Sequence, residues 1–286
     1  ILARPSWTPN RVSSWSTSAI YWDTQDVLVA ADQLVSISDL VTTRDGINNY
    51  NYDVIDVIRQ AMVDYAAELL PLINKARTEG NTGEYTRLYK LYLQLMLDLD
   101  EMLSYDENFK LERWTSLARN IADEVEGTTV NDRNWLEWNA RTQVTVWSKG
   151  DTDLHDYSNR CWAGLIKDFH YARWKKFFES NGGAPSGGWF NGFEYPWTVN
   201  FTDYDYSTVN IPTDISATEK AKETFGNYFG RIRGEGNSFI FPMGVTRDAT
   251  GSNVTPKAYR GQKAELPLEI GKETEITSIW IDLNGD

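Results

Sequence analysis

Two long runs of apolar residues at helical spacing constrain this chain more than any other feature of it. Val54, Val57, Ile58, Ala61, Met62, Tyr65, Leu69 and Leu72 recur at three- and four-residue intervals. So do Tyr85, Leu88, Tyr89, Tyr92, Leu95, Met96, Leu99 and Leu103. Stripes of this kind gather the apolar groups on one face of an α-helix. Two such helices, joined through residues 80–83, must bury those faces against each other and against further helices. The sequence therefore predicts a mainly α fold, an irregular helical bundle. Pro71 falls inside the first run, which starts near Asp53, and is expected to kink or restart that helix.

The flanking patterns extend the bundle. Thr24 is the expected cap of an earlier helix striped by Val27, Leu28, Ala31, Leu34 and Val35, and Asp45-Gly46 reads as a turn. Leu111, Trp114, Leu117, Ala118 and Ile121 form another apolar face, closed by Gly127, and Asn131 is the expected cap of the next helix. Residues 1–22 read as an irregular opening segment pinned by Trp7, Trp15, Tyr21 and Trp22. Residues 181–213 are rich in Gly, Pro, Asn and aromatics without a clear period, so they read as an ordered loop. Ser216-x-x-Glu219 is a capping box that opens a last helix carrying Ala221, Phe225, Tyr228, Phe229 and Ile232.

Beyond it the period changes. Phe239, Phe241, Val245, Ile276, Ile279, Ile281 and Leu283 alternate with polar neighbours in short runs, the pattern of strands. The expected organisation is a helical domain over 1–235 and a small C-terminal β appendage over 236–286, either a tail or the start of a further module.

Composition excludes several functions. A formal charge of −13 argues against nucleic acid or acidic lipid as a partner, because both need Lys and Arg to displace counterions. No apolar run approaches the ~18 residues of a membrane span. The single cysteine, Cys161, excludes an internal disulfide and a multi-cysteine metal site, and reads as a buried structural thiol. His155 and His170 stand too far apart in the pattern to share a metal. Asp282-Leu283-Asn284-Gly285-Asp286 has the opening of a calcium loop but not its later ligands, so a turn is expected there. Neither a metal nor a cofactor is implied. A start at Ile1 suggests processing or excision from something longer.

Function concentrates in residues 139–178. Twelve Trp, 15 Tyr and 11 Phe exceed what helix packing needs, and many of them crowd this stretch. Trp162, Leu165, Ile166, Phe169, Arg173 and Phe177 keep helical spacing and read as core, with Arg173 requiring a buried partner. Trp147 and Tyr157 fall outside that stripe, at the two rims of a loop that carries Lys149, Asp151, Asp153, His155 and Asp156. Flat rings beside convergent polar groups suit a sugar, whose C–H faces stack on the rings while the polar groups bind its hydroxyls. Glu137 and Asp156 flank the loop, but acids near a helix start are more often caps than catalysts.

The steps Asn139-x-Arg141-x-Gln143-Val144-Thr145-Val146-Trp147 and Asp156-Tyr157-x-Asn159-x-x-x-Ala163-Gly164-Leu165, followed by Tyr171-x-Arg173-Trp174, carry a resemblance. They look like the helical C-terminal domain of the α-N-acetylglucosaminidases, glycoside hydrolase family 89, over roughly residues 1–232. The resemblance implies a parent enzyme that removes terminal α-linked N-acetylglucosamine from glycans with retention. Its catalytic glutamates would belong to a (β/α)8 barrel of the same polypeptide, leaving no catalytic residue in this fragment. It also implies that Trp147 and Tyr157 line the substrate pocket, with Leu154 or His155 on the loop between them. Asn139, Arg141 and Gln143 would orient that loop or pair across the barrel interface. A secreted, periplasmic or cell-surface bacterial protein is the expected setting. The rival readings are a stand-alone carbohydrate-binding module and a purely structural helical scaffold.

Overall fold

The computed structural model describes residues 1–229 except 10, 12, 14, 150–153 and 184–186, and beyond 229 only four two-residue strand segments. The helices described are α1 (Thr24–Ser36), α2 (Arg44–Thr78), α3 (Thr82–Leu103), α4 (Leu111–Asp123), α5 (Val130–Val144), α6 (Tyr171–Glu179), α7 (Gly187–Val199) and α8 (Ala217–Phe229). The chain is mainly helical, as its periodicity demands.

The two long stripes form the centre. α2 and α3 make a hairpin closed at Gly80, whose φ of 71° suits the left-handed turn. Ile55, Ile58, Met62 and Leu69 of α2 meet Leu95, Met96 and Leu99 of α3 with no exposed surface. α1 and α8 cover α2, and α6 adds Trp174 and Phe178 against Tyr92, with Phe177 packed beside both. Of the aromatics expected to pin the opening segment, Trp7 does so, its ring 4.7 Å from that of Phe177, and Trp22 donates to Asp64, whereas Trp15 and Tyr21 stand exposed. Cys161 is buried in this core, where burial pushes its thiol pKa up. A second, smaller cluster of Leu111, Val144, Leu165, Phe169, Trp197 and Tyr206 joins α4, α5, α7 and the start of α6.

Several expectations are corrected. α1 is capped by Asp23, whose carboxylate accepts from the Gln25 amide, while Thr24 donates to Glu68. α2 starts at Arg44 rather than Asp53, because Thr43 caps it by accepting from the Gly46 amide at 3.2 Å. Gly46 belongs to that first turn, and a Cβ there would meet the Thr43 hydroxyl at 2.5 Å. The helix runs through Pro71 as one 35-residue element instead of restarting. Thr129, not Asn131, caps α5 in a capping box with Asp132. The Ser216–Glu219 capping box is present, and α8 ends at Phe229, short of Ile232.

Three differences bear on function. α7 occupies part of the predicted loop, because Phe193 and Trp197, one turn apart, both pack on Phe169. Residues 157–164 are not helical. Asn159 and Gly164 take left-handed φ values of 49° and 82°, and a π-turn over Ile166–His170 leads into α6. Leu111 is buried, but the rest of the α4 stripe faces outward: Trp114, Leu117 and Ile121 are 37, 53 and 58% exposed. With Leu136, Asn139, Ala140 and Gln143 of α5 they line a groove of about 180 Å³. The β appendage expected over 236–286 lies almost wholly outside the described residues, as does the sequence ending at Asp286.

Candidate functional site

The aromatic loop grows from the end of α5. Thr145 leaves the helix with its hydroxyl still donating to the Arg141 carbonyl at 2.7 Å. Val146 then pairs with His155 in an antiparallel bridge. The Trp147 amide donates to the Leu154 carbonyl at 3.3 Å, and the Asp156 amide to the Thr145 carbonyl at 2.6 Å. These bonds clamp the two strands of the loop at its base.

Below the clamp lies a buried ion network. Asp156, at a left-handed φ of 50°, is 2% exposed and receives two bonds from Arg173, at 2.9 and 3.1 Å. Arg173 also donates to Glu194 of α7 at 3.0 Å, to the Leu2 carbonyl at 3.0 Å and to His170 Nδ1 at 2.6 Å. Arg4 closes the chain of charges on Glu194 at 2.6 Å. Burial alone would raise the Asp156 pKa, but the Arg173 guanidinium and a hydrogen bond from His155 outweigh it and hold the carboxyl at about 2. Burial and Arg173 together push His170 well below its ordinary pKa, so it accepts as a neutral imidazole. The partner that the sequence requires for Arg173 is thus present twice over.

Above the clamp stand the rings. Trp147 and Tyr157 are 44 and 49% exposed, with centroids 5.4 Å apart and planes at 69°. Trp15 is 70% exposed and lies 6.5 Å from Tyr157 at 87°. Leu154 is half-buried, and His155 keeps Nδ1 2.9 Å from Asp156 Oδ2. The structure therefore brings Trp147, Tyr157, Leu154 and His155 into one loop and presents two of them as an open corner of rings.

The two flanking acids are not helix caps, contrary to expectation. Glu137 lies within α5, 1% exposed, bonded to both Arg141 and Arg119. Asp156 lies in the loop base. Each carboxylate is committed to a guanidinium, so neither is placed to donate or accept a proton from a ligand. Arg141 is also buried, and donates to the carbonyls of Trp197, Asn200 and Tyr204, which ties the end of α7 to α5. Asn139 and Gln143 line the α4–α5 groove, and the Gln143 carbonyl accepts from the Ser158 hydroxyl just after Tyr157.

Glu194, Arg4 and Trp15 complete this region without having been expected in it. Helical spacing of Phe193 and Trp197 would have placed Glu194 on α7, beside the core. Nothing in the local sequence points Arg4 or Trp15 to the loop.

The sequence model of the family described as Alpha-N-acetylglucosaminidase (NAGLU) C-terminal domain matches residues 1–218. Human α-N-acetylglucosaminidase is 29% identical over 175 residues, 59% of this chain and 22% of that protein. A family 89 glycoside hydrolase from Clostridium perfringens, solved with 2-acetamido-1,2-dideoxynojirmycin, superposes with a TM-score of 0.68 at 26% identity, over 79% of this chain and 26% of its own. A form of the Clostridium perfringens enzyme with two glutamates replaced by glutamine, solved with its substrate GlcNAc-α-1,4-galactose, gives 0.69 at 26% identity over 79% of this chain. The chain thus spans about a quarter of the length of these glycoside hydrolases. The chain belongs to the α-N-acetylglucosaminidase C-terminal domain family, as a helical C-terminal domain of glycoside hydrolase family 89.

Proposed function

We propose that this chain is the C-terminal domain of a retaining α-N-acetylglucosaminidase that hydrolyses terminal α-linked N-acetylglucosamine from glycans. In this reading it supplies one wall of the substrate pocket through Trp147 and Tyr157, with Leu154 and His155 on the same loop. The observation that carries the reading is the half-exposed, steeply angled ring pair on a loop whose base is clamped by the buried Asp156–Arg173 pair. Rings held rigidly and left open to solvent suit the C–H face of a sugar. Their exposure argues against a purely structural scaffold in which both would be core.

The bond chemistry belongs to a catalytic barrel of the same polypeptide, whose two carboxylates stand about 5 Å apart in a retaining enzyme. Two features support such a partner: the acids beside the loop are engaged in ion pairs, and the apolar face of α4 is turned outward beside α5. That face suits the barrel of a polypeptide about four times as long, as the relatives are. The same reading keeps 1–235 as the helical domain, 236–286 as a β-rich tail or the start of a further module, and a secreted bacterial setting. The exposed rings also favour a second reading, sugar binding by the domain alone, which calorimetry with N-acetylglucosaminides would detect.

The test is hydrolysis of an aryl α-N-acetylglucosaminide. The isolated chain should show none, and the full polypeptide should release N-acetylglucosamine with the α configuration. Hydrolysis by the pure chain would overturn the division of labour proposed here.

A further inference from the structure

Trp15 is the most exposed of the three rings at the loop, yet its backbone is firmly held. Ser13 is fully buried, and its hydroxyl accepts from the amides of both Trp15 at 3.2 Å and Ser16 at 3.1 Å. Arg11 and Thr17 close the turn with a bridge, and the Asn159 side-chain amide donates to the Ser16 hydroxyl. That last bond ties the turn to the segment just after Tyr157. A large flat ring left 70% in water on an anchored turn beside two other exposed rings offers a held surface for a sugar face.

Position indicates which ligand. Exposure rises outward along the three rings, from 44% at Trp147 through 49% at Tyr157 to 70% at Trp15. Tyr157 lies between the other two, edge-on to each. If the inner pair holds the terminal N-acetylglucosamine, as the functional reading has it, the outer ring borders the side from which the glycan continues. A terminal sugar has one neighbour, the unit attached through the bond to be cut.

We propose that Trp15 is a specificity-determining residue: it stacks on the sugar unit on the leaving-group side of the N-acetylglucosamine, so that a pyranose leaving group is preferred over a small alcohol. This inference rests on the pocket-wall reading of Trp147 and Tyr157.

The test compares kcat/KM of the full polypeptide on GlcNAc-α-1,4-galactose and on methyl α-N-acetylglucosaminide. Trp15→Ala should lower the first about tenfold and leave the second unchanged, and Trp15→Phe should recover most of the loss. Equal loss on both substrates would make Trp15 a support for Tyr157 or for a domain contact, and no loss on either would make it inert; both results overturn the inference. Trp147→Ala should lower both substrates. If it lowers neither, the pocket-wall reading itself fails, whatever Trp15 does.

Discussion

Arg173 grips both carboxylate oxygens of Asp156, Nη1 to Oδ2 at 2.9 Å and Nη2 to Oδ1 at 3.1 Å, with neither side chain exposed beyond 2%. The pair fastens the start of the Tyr157 segment to α6, and through Glu194 and Arg4 it reaches α7 and the opening segment. A loop that must present two rings at a fixed angle is thus anchored by charge, not only by apolar packing.

Removing one partner leaves the other buried without its full compensation, so Asp156→Ala should cost about 3–5 kcal/mol of stability. Urea unfolding at neutral pH measures it. The pH profile has a defined sign. Asp156 titrates at about 2 against an ordinary 3.8, so its contribution is present above pH 4 and is lost as pH falls through 2.

Asp100 behaves in the opposite way. It is buried under the turn into α6, where Oδ2 accepts from the amides of Gly164 at 2.7 Å and Lys167 at 2.9 Å. Burial outweighs those two bonds and raises its pKa to about 7. Its folded pKa lies above the unfolded one, so its favourable contribution is complete below about pH 4 and is lost as pH rises through 7. Asp64, Glu68, Glu112 and Asp168 are also raised by burial and act in the same direction. His170, held neutral in the fold, acts the other way below its ordinary 6.5. The five raised carboxyls outnumber it, so the domain should melt higher at mildly acidic than at neutral pH, and Asp100→Asn should flatten the slope between pH 4 and 7. A melting temperature independent of pH in that window would contradict this.

Gly164 sits at φ 82°, and a Cβ there would stand 3.0 Å from the Tyr206 ring. Gly164→Ala combines left-handed strain with a clash that Tyr206 cannot easily relieve, because its hydroxyl is held by Asp168 at 2.5 Å. A loss of about 1–3 kcal/mol is expected, read from denaturant midpoints.

The outward face of α4 yields a contrast between two forms of the protein. Leu117→Glu with Ile121→Glu should leave the isolated domain within about 0.5 kcal/mol of its original stability, since both side chains are exposed. In the full polypeptide the same change should lower the melting temperature by placing unpaired charges in the contact with the barrel. Thermal melts of both forms decide it, and an equal drop in both would place these residues in the core of the domain.

Much of the fold was legible because it rests on period. The stripes of α2, α3 and α8 and the buried positions of Leu165, Ile166, Phe169, Arg173 and Phe177 follow from helical spacing alone. Elements whose period is masked were not legible. Gly187, Gly188 and Pro196 disguise α7, and Asp45-Gly46 imitates a turn where Thr43 in fact caps a helix. Amphipathic spacing in α4 shows that one face is apolar but not what covers it. At the site, Trp147 and Tyr157 stood out as rings off the core stripe. The contacts of Arg4, Glu194 and Trp15 with that region span too much of the chain for any local pattern to show them.

The central claim is that Trp147 and Tyr157 form a wall of the sugar pocket. The most direct measurement is a crystal structure of the full polypeptide with 2-acetamido-1,2-dideoxynojirmycin. The account predicts ring carbons of the inhibitor within about 4 Å of both side chains, the distance of apolar contact. An inhibitor bound with both rings out of contact, or both rings buried against other protein atoms, would contradict it.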